Sequence, residues 1–362
     1  MLNVTRLSAK LGHHEITIET GKLAKQADSV VLTTGDSVLM VNAVCGAHNP
    51  EKGFFPLVVD YIEKTYAGGK IPGGFQRREG RLSDHEVLVS RLTDRPLRPL
   101  FPDGFKGETQ ITATVLSHDG NNDTDMLCIT GASAALMLSS SPFQGPIAGV
   151  RVGRIGGTFI ANPSNEELKR SDLAIVMACS KDAIIMVEGE ADQLPEADVV
   201  AALDFGFQAV QPLLDLQVVL ARLAGKPKIE FVGGTVDADV KAAVVAAASA
   251  PTAEALAIKD KHARYGRLKE IAAGLKVSVA EQYPDKASHI GEAFEELKSD
   301  IMRRWVVEDQ RRIDGRGLRD IRNIWTEVGT LPRVHGSAIF TRGETQALVT
   351  VTLGTERDAQ LI

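Results

Sequence analysis

The sequence predicts an α+β protein in which a mixed-sheet core with packed helices is followed by a small all-α domain and then by the opening strands of a second core. Three observations support this fold class. Strand-like and helix-like segments alternate over the first 220 or so residues, an alanine-rich helical pattern without strand signals follows, and the chain contains an internal repeat.

The internal repeat relates residues 19–46 to residues 327–354, which align without a gap at an offset of 308 (327 minus 19). Eight of the 28 aligned positions are identical, whereas chance would give about two. This spacing is far too long for a solenoid, so we interpret the repeat as the duplication of a whole domain around an insert. We expect that residue 362 is not a natural end, because a strand-rich copy stopping there would leave unpaired sheet edges.

Strand signals dominate the start of each copy. Segments 29–34 and 37–44 flank the turn Thr34-Gly35-Asp36 and predict a β-hairpin, and the turn Arg342-Gly343-Glu344 predicts its equivalent in the second copy. Further strands of the first core are predicted near residues 57–65, 110–117, 148–154, 172–178 and 184–187.

Helix signals complete the first core and fill the insert. Ser83 followed by Glu86 forms a capping box, which predicts a helix that Pro96 ends. Other helices are predicted at 129–138, 195–223, 236–250, 252–275 and 287–307. The predicted domains are a first core at 1–224, a helical domain at 225–308 and the start of a second core at 309–362.

The composition is that of an ordinary globular protein, with 44% hydrophobic and 24% charged residues. No secretory leader and no apolar run of about 18 residues is evident, so the sequence predicts a cytoplasmic protein without membrane insertion. Cys45, Cys128 and Cys179 are isolated among apolar neighbours. That setting favours reduced, mostly buried thiols over disulfides or a metal site.

The distribution of charge points to an anionic ligand at one place. A net charge of −6 argues against a protein that coats nucleic acid indiscriminately. The segment from Lys64 to Lys106 nevertheless carries nine basic and five acidic side chains, a local excess of four positive charges. An acidic chain that gathers its arginines in one segment is expected to bind something anionic there.

A glycine-rich loop at residues 67–81 is the main candidate site. It has four glycines within eight residues but lacks the glycine spacing and the hydroxyl residue of a phosphate-binding P-loop. Phe75 with Arg77, Arg78 and Arg81 could stack a base and contact the phosphates of a single strand. The alternative is a solvated loop whose arginines pair with Glu79 and Asp84.

Other chemistry-bearing groups are less distinctive. His118, Asp119, Asp123 and Asp125 resemble a cation cluster, but their spacing matches no standard calcium loop and also fits an acidic turn between a strand and a helix. No serine, histidine and aspartate triad and no cysteine and histidine pair can be assembled from the sequence.

Three segments closely resemble the polynucleotide phosphorylase family. They are FPLVVDYIEKTYAGGKIPGGFQRREGR…SRLTDRPLRPLFPDGF (55–105), GASAALMLSSSPFQGPIAGVRVG (131–153) and RRIDGRGLRDIR…LPRVHGSAIFTRGETQALVTVTLGTERDAQ (311–360). The resemblance covers nearly the whole chain. It implies two RNase PH-like cores joined by an all-helical domain, and an enzyme that degrades RNA from its 3′ end with inorganic phosphate and Mg²⁺, or runs the reaction in reverse.

The resemblance places the chemistry of the family in the second core, past the position that matches Ile362. In the first core the family's phosphate-binding serine stretch aligns with about Asp123-Thr124-Asp125, and its catalytic Asp-x-Lys aligns with Ala174-Ile175-Val176. Carboxylates repel phosphate, and alanine and valine cannot hold Mg²⁺. We therefore assign no catalytic or metal-binding residue to this chain, expect the Mg²⁺ ligands beyond residue 362, and expect the chain alone to be inactive.

The resemblance also implies how the first core contributes. Phe75 to Arg78 matches a Phe-Phe-Arg-Arg loop that grips RNA near the central channel of a ring, with Gln76 in place of the second aromatic residue. Single-stranded RNA, a homotrimeric ring and an RNA-degradation complex are the implied partners. Arg91, Arg95 and Arg98 face the channel or form structural ion pairs. A non-catalytic RNA-binding or scaffolding ring subunit of the same fold is the alternative function.

Overall fold

A computed structural model describes residues 3–49, 52–231, 233, 236–279, 281–284 and 286–358. The chain separates into two units, the first ending at Gly233, and each is described by itself. Segment 225–231 belongs to the first unit, where Lys226 and Ile229 donate backbone hydrogen bonds to Leu138 and Ser140. The α+β class is confirmed; the three-domain division stays a prediction.

The first unit is built on a six-stranded mixed sheet. Its strands are β1 (Thr5–Leu11), β2 (His14–Thr20), β3 (Asp28–Thr34), β4 (Ser37–His48), β5 (Leu57–Glu63) and β6 (Gly107–Ser117). Their order is β1-β2-β3-β4-β6-β5, and β5 runs parallel to β6 while the other pairs are antiparallel. The predicted hairpin is confirmed, because Thr34 pairs with Ser37 across Gly35, whose φ of 53° suits glycine.

A four-stranded antiparallel sheet and five helices complete the first unit. The strands are β7 (Ala148–Ile155), β8 (Thr158–Ala161), β9 (Leu173–Cys179) and β10 (Ile184–Ala191), in the order β10-β9-β7-β8. The helices are α1 (Asp84–Leu97), α2 (Asp125–Leu138), α3 (Asn165–Leu168), α4 (Glu196–Ala209) and α5 (Gln211–Ala224). Strand β8 and the one-turn helix α3 were not predicted from the sequence.

Helix α2 is the centre of the first unit, since all of its residues except Met137 are buried. Small side chains let the helix approach the β3-β4 hairpin closely. A Cβ atom at Gly131 would lie 2.6 Å from both Leu32 Cδ1 and Val41 Cγ2. The contact therefore requires glycine, and it fixes the height of the helix above the sheet.

Helix α1 begins as predicted at a capping box. The Ser83 hydroxyl accepts a hydrogen bond from the Glu86 backbone N–H, and the Glu86 carboxylate accepts one from the Ser83 N–H. The predicted end is wrong by one residue, because Pro96 lies inside the last turn and the helix ends at Leu97. Proline there forgoes one helical hydrogen bond, and burial of Thr93, Pro96 and Leu97 compensates for it.

The predicted helix 195–223 is two helices that meet at Val210. Pro212 has no N–H to continue the ladder of α4 and instead occupies the first turn of α5, where that donor is not needed. By length and composition alone, Glu196–Ala224 is the one stretch of the described chain that could cross a membrane. This is weak evidence for a span, because core helices pass the same test and Leu213 and Leu220 are fully buried.

The second unit starts with three helices, α6 (Ala238–Leu256), α7 (Lys261–Ser278) and α8 (Ala287–Val307). The predicted break near Ala250 is wrong, since α6 continues through Pro251. Ala248, Thr252 and Ala255 are buried on one face of α6, and this packing holds the helix together past the proline.

The second unit ends in a three-stranded antiparallel sheet, β11 (Ile324–Val328), β12 (Gly336–Arg342) and β13 (Thr345–Val351). It repeats the start of the first unit at the predicted offset. Thr17 pairs with Thr33 in the first copy, and Trp325 pairs with Thr341 in the second, each 308 residues later (325 minus 17 and 341 minus 33). The internal repeat is thus confirmed in strand register.

The capping box of α1 gives a stability test. Ser83→Ala removes the acceptor for the Glu86 N–H, and we expect the free energy of unfolding to fall by about 1 kcal/mol. Leu88→Ala on the same helix, at an exposed position, is the control and should change it by less than about 0.5 kcal/mol. Denaturant melts followed by circular dichroism measure both. Equal stability of Ser83→Ala and the parent would contradict the role given to the cap.

Candidate nucleic-acid interface

The loop that joins β5 to α1 carries the sequence-predicted site residues. It begins with a 3₁₀ turn at Thr65–Gly68 and then runs without regular structure to Ser83. Phe75 is fully exposed, and Gly69, Gly73 and Gly74 face open space, where a Cβ atom would meet nothing within 4 Å. The tip of the loop is therefore free of contacts that would have to break when a ligand binds.

The two ends of this loop are tied to the core. Thr65 donates from its backbone N–H and its hydroxyl to the two carboxylate oxygens of Glu79, at 2.9 and 3.0 Å. The backbone N–H of His118, at the end of β6, donates to Ala67 O at 3.0 Å. These bonds hold the base of the loop while leaving its tip open.

The arginines of the loop have no acidic partners in the described part of the chain. Arg77, Arg78 and Arg81 form no salt bridge there, and Glu79, the partner considered from sequence, is occupied by Thr65. Arg77 also has a positive φ of 53° in a turn that its N–H closes onto Gly74 O. Phe75 and these arginines are thus on one exposed loop, and their guanidinium groups are available to an anionic ligand.

The arginines of α1 behave differently. Arg98 forms a bidentate pair with Asp94 at 2.7 and 3.1 Å and also donates to the carbonyls of Phe55 and Leu57. Arg95 pairs with Glu188 of β10 at 2.6 Å. The structural interpretation is therefore confirmed for these two, whereas Arg91 is exposed and has no ion-pair partner among the described residues.

A hydrogen-bonded chain lies beneath the loop. The hydroxyl of buried Tyr61 contacts Thr124 Oγ1 at 2.7 Å and donates to Glu63 at 3.1 Å, and Glu63 also contacts His85 Nδ1 at 3.0 Å. This contact with His85 lowers the pKa of Glu63 and, seen from the other partner, raises the pKa of His85. These hydrogen bonds connect the start of α1 to the start of α2.

The position Asp123-Thr124-Asp125, which the family resemblance aligns with a phosphate-binding stretch, already contains an ion pair within the protein. Asp125 lies in the first turn of α2, is almost fully buried, and accepts a short hydrogen bond from the Arg151 guanidinium. Arg151 also reaches Asp123 at 3.5 Å. A helix N-terminus favours an anion, and here the protein supplies that anion itself.

The position that aligns with the catalytic Asp-x-Lys offers no metal ligands. Ala174 and Val176 line an open cavity of about 690 Å³ together with Asp172 and Glu188. Those two carboxylates pair with Arg154 and Arg95. Across the ranges that the structure describes, no group of three or more His, Cys, Asp or Glu side chains could hold a metal ion. The first core therefore does not fit Mg²⁺.

The acidic segment before α2 is a turn rather than a cluster of free ligands. Asp119 accepts hydrogen bonds from the backbone of Asn121 and Asn122, from the Asn122 side chain and from the Asp36 N–H. Partial burial opposes ionisation, but these hydrogen bonds outweigh it and lower the pKa of Asp119 to about 2. Arg151, Tyr61 and His85 were not predicted from the sequence, because their partners lie 22 to 63 residues away along the chain.

Comparison with known proteins identifies the family of the chain. The description "3′ exoribonuclease family, domain 1" matches residues 12–142 and again 320–361, and domain 2 of that family matches residues 145–209. "Polyribonucleotide nucleotidyltransferase, RNA binding domain" matches residues 239–317. The chain belongs to the 3′ exoribonuclease family, with RNase PH-like domains in both copies of the repeat.

Individual relatives carry the name polyribonucleotide nucleotidyltransferase. The protein of Geotalea daltonii is 51% identical over 360 residues, covering 99% of this chain and 52% of the relative. That of Nitratidesulfovibrio vulgaris is 48% identical over 371 residues, covering 99% and 48%. The chain thus spans about half the length of these relatives. Rice (Oryza sativa) Rrp46 superposes on 61% of this chain and 96% of its own, with 14% identity and a TM-score of 0.45.

The internal ion pair at α2 gives a second stability test. Arg151→Ala would leave the Asp125 carboxylate buried without its partner, and we expect a loss of about 3–5 kcal/mol in the free energy of unfolding. Adding Asp125→Asn removes the stranded charge, so the double variant should be more stable than Arg151→Ala alone. Chemical denaturation compares them. A double variant less stable than the single variant would show that the pair does not act as described.

The pair of Glu63 and His85 gives a test of pH dependence. The raised pKa of His85 means that its contribution is complete below its ordinary value of 6.5 and is lost as pH rises through the raised value. The lowered pKa of Glu63 means that its contribution is complete above 4.5 and is lost as pH falls through the lowered value. Both contributions to stability are therefore complete between pH 4.5 and pH 6.5.

We expect His85→Ala to lower the melting temperature more at about pH 5.5 than at about pH 8.5, because only the lower pH lies within that window. Glu63→Gln, which keeps a hydrogen-bonding side chain but removes the charge, should show the same dependence. Thermal melts at the two pH values measure both variants. A larger effect of His85→Ala at the higher pH would contradict the assignment.

Proposed function

We propose that this chain is the RNA-guiding portion of a polynucleotide phosphorylase. In that reaction inorganic phosphate attacks the 3′-terminal phosphodiester of RNA and a nucleoside 5′-diphosphate is released, and the reverse reaction extends the RNA. The observation that carries the proposal is the open loop at residues 70–82, with an exposed aromatic ring and three arginines without acidic partners in the described chain.

The loop is suited to a single strand of RNA. Arginine binds phosphate through paired N–H donors, and an exposed phenyl ring stacks on any base, so this combination holds a strand without reading its sequence. Because Gln76 follows Phe75, this loop offers one aromatic ring for stacking, where the loop of the resembling family has two. Each stacked base is worth about 1–3 kcal/mol, so this loop would grip RNA less tightly than a loop with two aromatic residues.

The first core itself would not perform the chemistry. Its phosphate position holds the Asp125 and Arg151 pair, and its Asp-x-Lys position holds Ala174 and Val176. Ala174 and Val176 carry no oxygen ligand for Mg²⁺, so the metal of the reaction would be held elsewhere in the enzyme. The alternative of a non-catalytic ring subunit is not favoured, because relatives about 50% identical are polyribonucleotide nucleotidyltransferases.

The assembly and the location are part of the same proposal. A homotrimeric ring would bring several of these loops around one channel, so that a strand meets them before it reaches the active portion of the enzyme. The protein would act in the cytoplasm, where it could join an RNA-degradation complex. Support for this arrangement comes from the family to which the chain belongs.

The arginines of the loop provide the test of RNA guiding. Arg77→Ala with Arg78→Ala removes two phosphate contacts, and we expect about tenfold weaker binding of an oligoadenylate, with a slope of log K against log salt that is shallower by about 1.4. Fluorescence anisotropy over a salt series measures both quantities. The control pair Arg170→Ala with Arg222→Ala removes two exposed arginines of the first unit that lie outside the loop. Unchanged affinity and slope in the loop variant, or equal losses in the control, would contradict the proposal.

A further inference from the structure

Strand β5 lies at the edge of the six-stranded sheet, so one row of its backbone N–H groups faces away from the neighbouring strand β6. Side-chain oxygens accept these hydrogen bonds instead of another strand. The Tyr61 N–H donates to Ser90 Oγ at 2.9 Å. The Glu63 N–H donates to Glu86 Oε1 at 2.8 Å. Both acceptors belong to α1, so these two bonds fix the helix along the edge of the sheet.

The next donor in this row fixes the loop at residues 70–82 in the same way. Thr65 comes two positions after Glu63, the last residue of β5, and its N–H donates to Glu79 Oε1 at 2.9 Å. The Thr65 hydroxyl donates to Glu79 Oε2 at 3.0 Å, so both carboxylate oxygens are used. Glu79 therefore extends the row of side-chain acceptors from the helix onto the loop.

Glu79 is the main attachment of this loop to the rest of the fold. Within residues 71–82 of the described chain, it is the one residue whose hydrogen bonds reach outside that segment. The other backbone bond there, from the Arg77 N–H to Gly74 O, stays inside the segment. Without the contact between Glu79 and Thr65, only the chain itself would connect the middle of the loop to the core.

The sequence places Glu79 among the arginines to which we assign RNA contacts. Arg77 and Arg78 precede it directly, and Arg81 follows two positions later. A carboxylate at such a position would repel the phosphates of RNA and attract the guanidinium groups. Its two hydrogen bonds direct it to Thr65 instead, and it forms no salt bridge with these arginines in the described chain. An acidic residue in an RNA-binding loop is thus explained by its contact with the strand.

We infer that Glu79 is a positioning residue for the RNA contacts of Arg77, Arg78 and Arg81. Its hydrogen bonds to Thr65 hold the segment that bears these arginines at the edge of β5 before RNA arrives. Binding then loses less conformational entropy, because part of the loop is already ordered. This inference rests on the proposed function of the loop, and it adds that the affinity for single-stranded RNA depends on an acidic residue.

The direction of one effect separates positioning from charge. Glu79→Ala removes a negative charge beside three arginines, so electrostatics alone predicts tighter binding of RNA. Loss of the hydrogen bonds to Thr65 predicts weaker binding, because the segment must then be ordered when RNA binds. We expect Glu79→Ala to bind an oligoadenylate about fivefold more weakly than the parent chain. Fluorescence anisotropy measures the affinity.

Two control variants remove a carboxylate without removing the contact. Glu79→Gln loses the same charge as Glu79→Ala but keeps a side-chain oxygen that can accept the Thr65 N–H. Asp84→Ala removes an exposed carboxylate that has no hydrogen bond or ion pair in the described chain. We expect both to bind the oligoadenylate at least as tightly as the parent chain, since each removes a charge that repels phosphate.

Hydrogen exchange gives a readout that does not involve RNA. Mass spectrometry of peptides that span Thr65 should show a protected N–H in the parent chain and in Glu79→Gln, and faster exchange in Glu79→Ala. Thr65→Val removes the hydroxyl donor and keeps the backbone donor, so it should weaken RNA binding by about twofold. This variant also tests the contact if Glu79→Ala does not fold.

The inference is overturned if Glu79→Ala binds RNA as tightly as Glu79→Gln, or if the exchange of the Thr65 N–H is the same in both variants. Thr65→Val binding more tightly than the parent chain would also contradict it. Failure of the proposed function has a different signature. In that case Arg77→Ala with Arg78→Ala leaves RNA binding unchanged, whereas a failure of the positioning role alone leaves that variant weakened.

Discussion

The packing of α2 against the β3-β4 hairpin is the constraint on which the first unit depends. Gly131 allows the helix to touch Leu32 and Val41 directly, and this contact fixes both of its ends. At the N-terminal end Thr124 meets Tyr61, and Asp125 meets Arg151. At the C-terminal end Lys228 donates to the carbonyls of Leu136 and Ser139, and burial lowers the pKa of Lys228 to about 8. The positive charge of a lysine at this end also interacts favourably with the negative end of the helix dipole.

The first copy of the repeat uses its own carboxylates where an anionic ligand could otherwise bind. Asp125 occupies the N-terminus of α2, and Asp119 covers the hairpin turn. Filling these positions stabilises the core and removes it from phosphate chemistry, because a second anion would be repelled there. The exposed loop between β5 and α1, which carries Arg77, Arg78 and Arg81, is where we propose that RNA binds this unit. In this copy two positions that could take an anion are filled by the protein's own carboxylates.

Much of the fold followed from local sequence signals. The hairpin at Gly35, its counterpart at Gly343 and the capping box at Ser83 depend on residues within a few positions of each other, and the structure confirms all three. The errors occurred where packing overrides a local signal, as at Pro251, or where one proline separates two apolar helices, as at Pro212. The loop residues could be recognised from composition and family resemblance. Arg151, which pairs with a residue 26 positions earlier in the chain, could not be found because nothing local marks it.

The central claim is that RNA contacts the first unit at the loop and not at the closed site beside α2. Ultraviolet cross-linking of an oligouridylate to the chain, followed by mass spectrometry of tryptic peptides, tests it directly. The account predicts adducts on the peptide from Ile71 to Arg77, which contains Phe75. Adducts centred instead on the peptides that contain Asp125 or Ala174, with none on the loop, would contradict it.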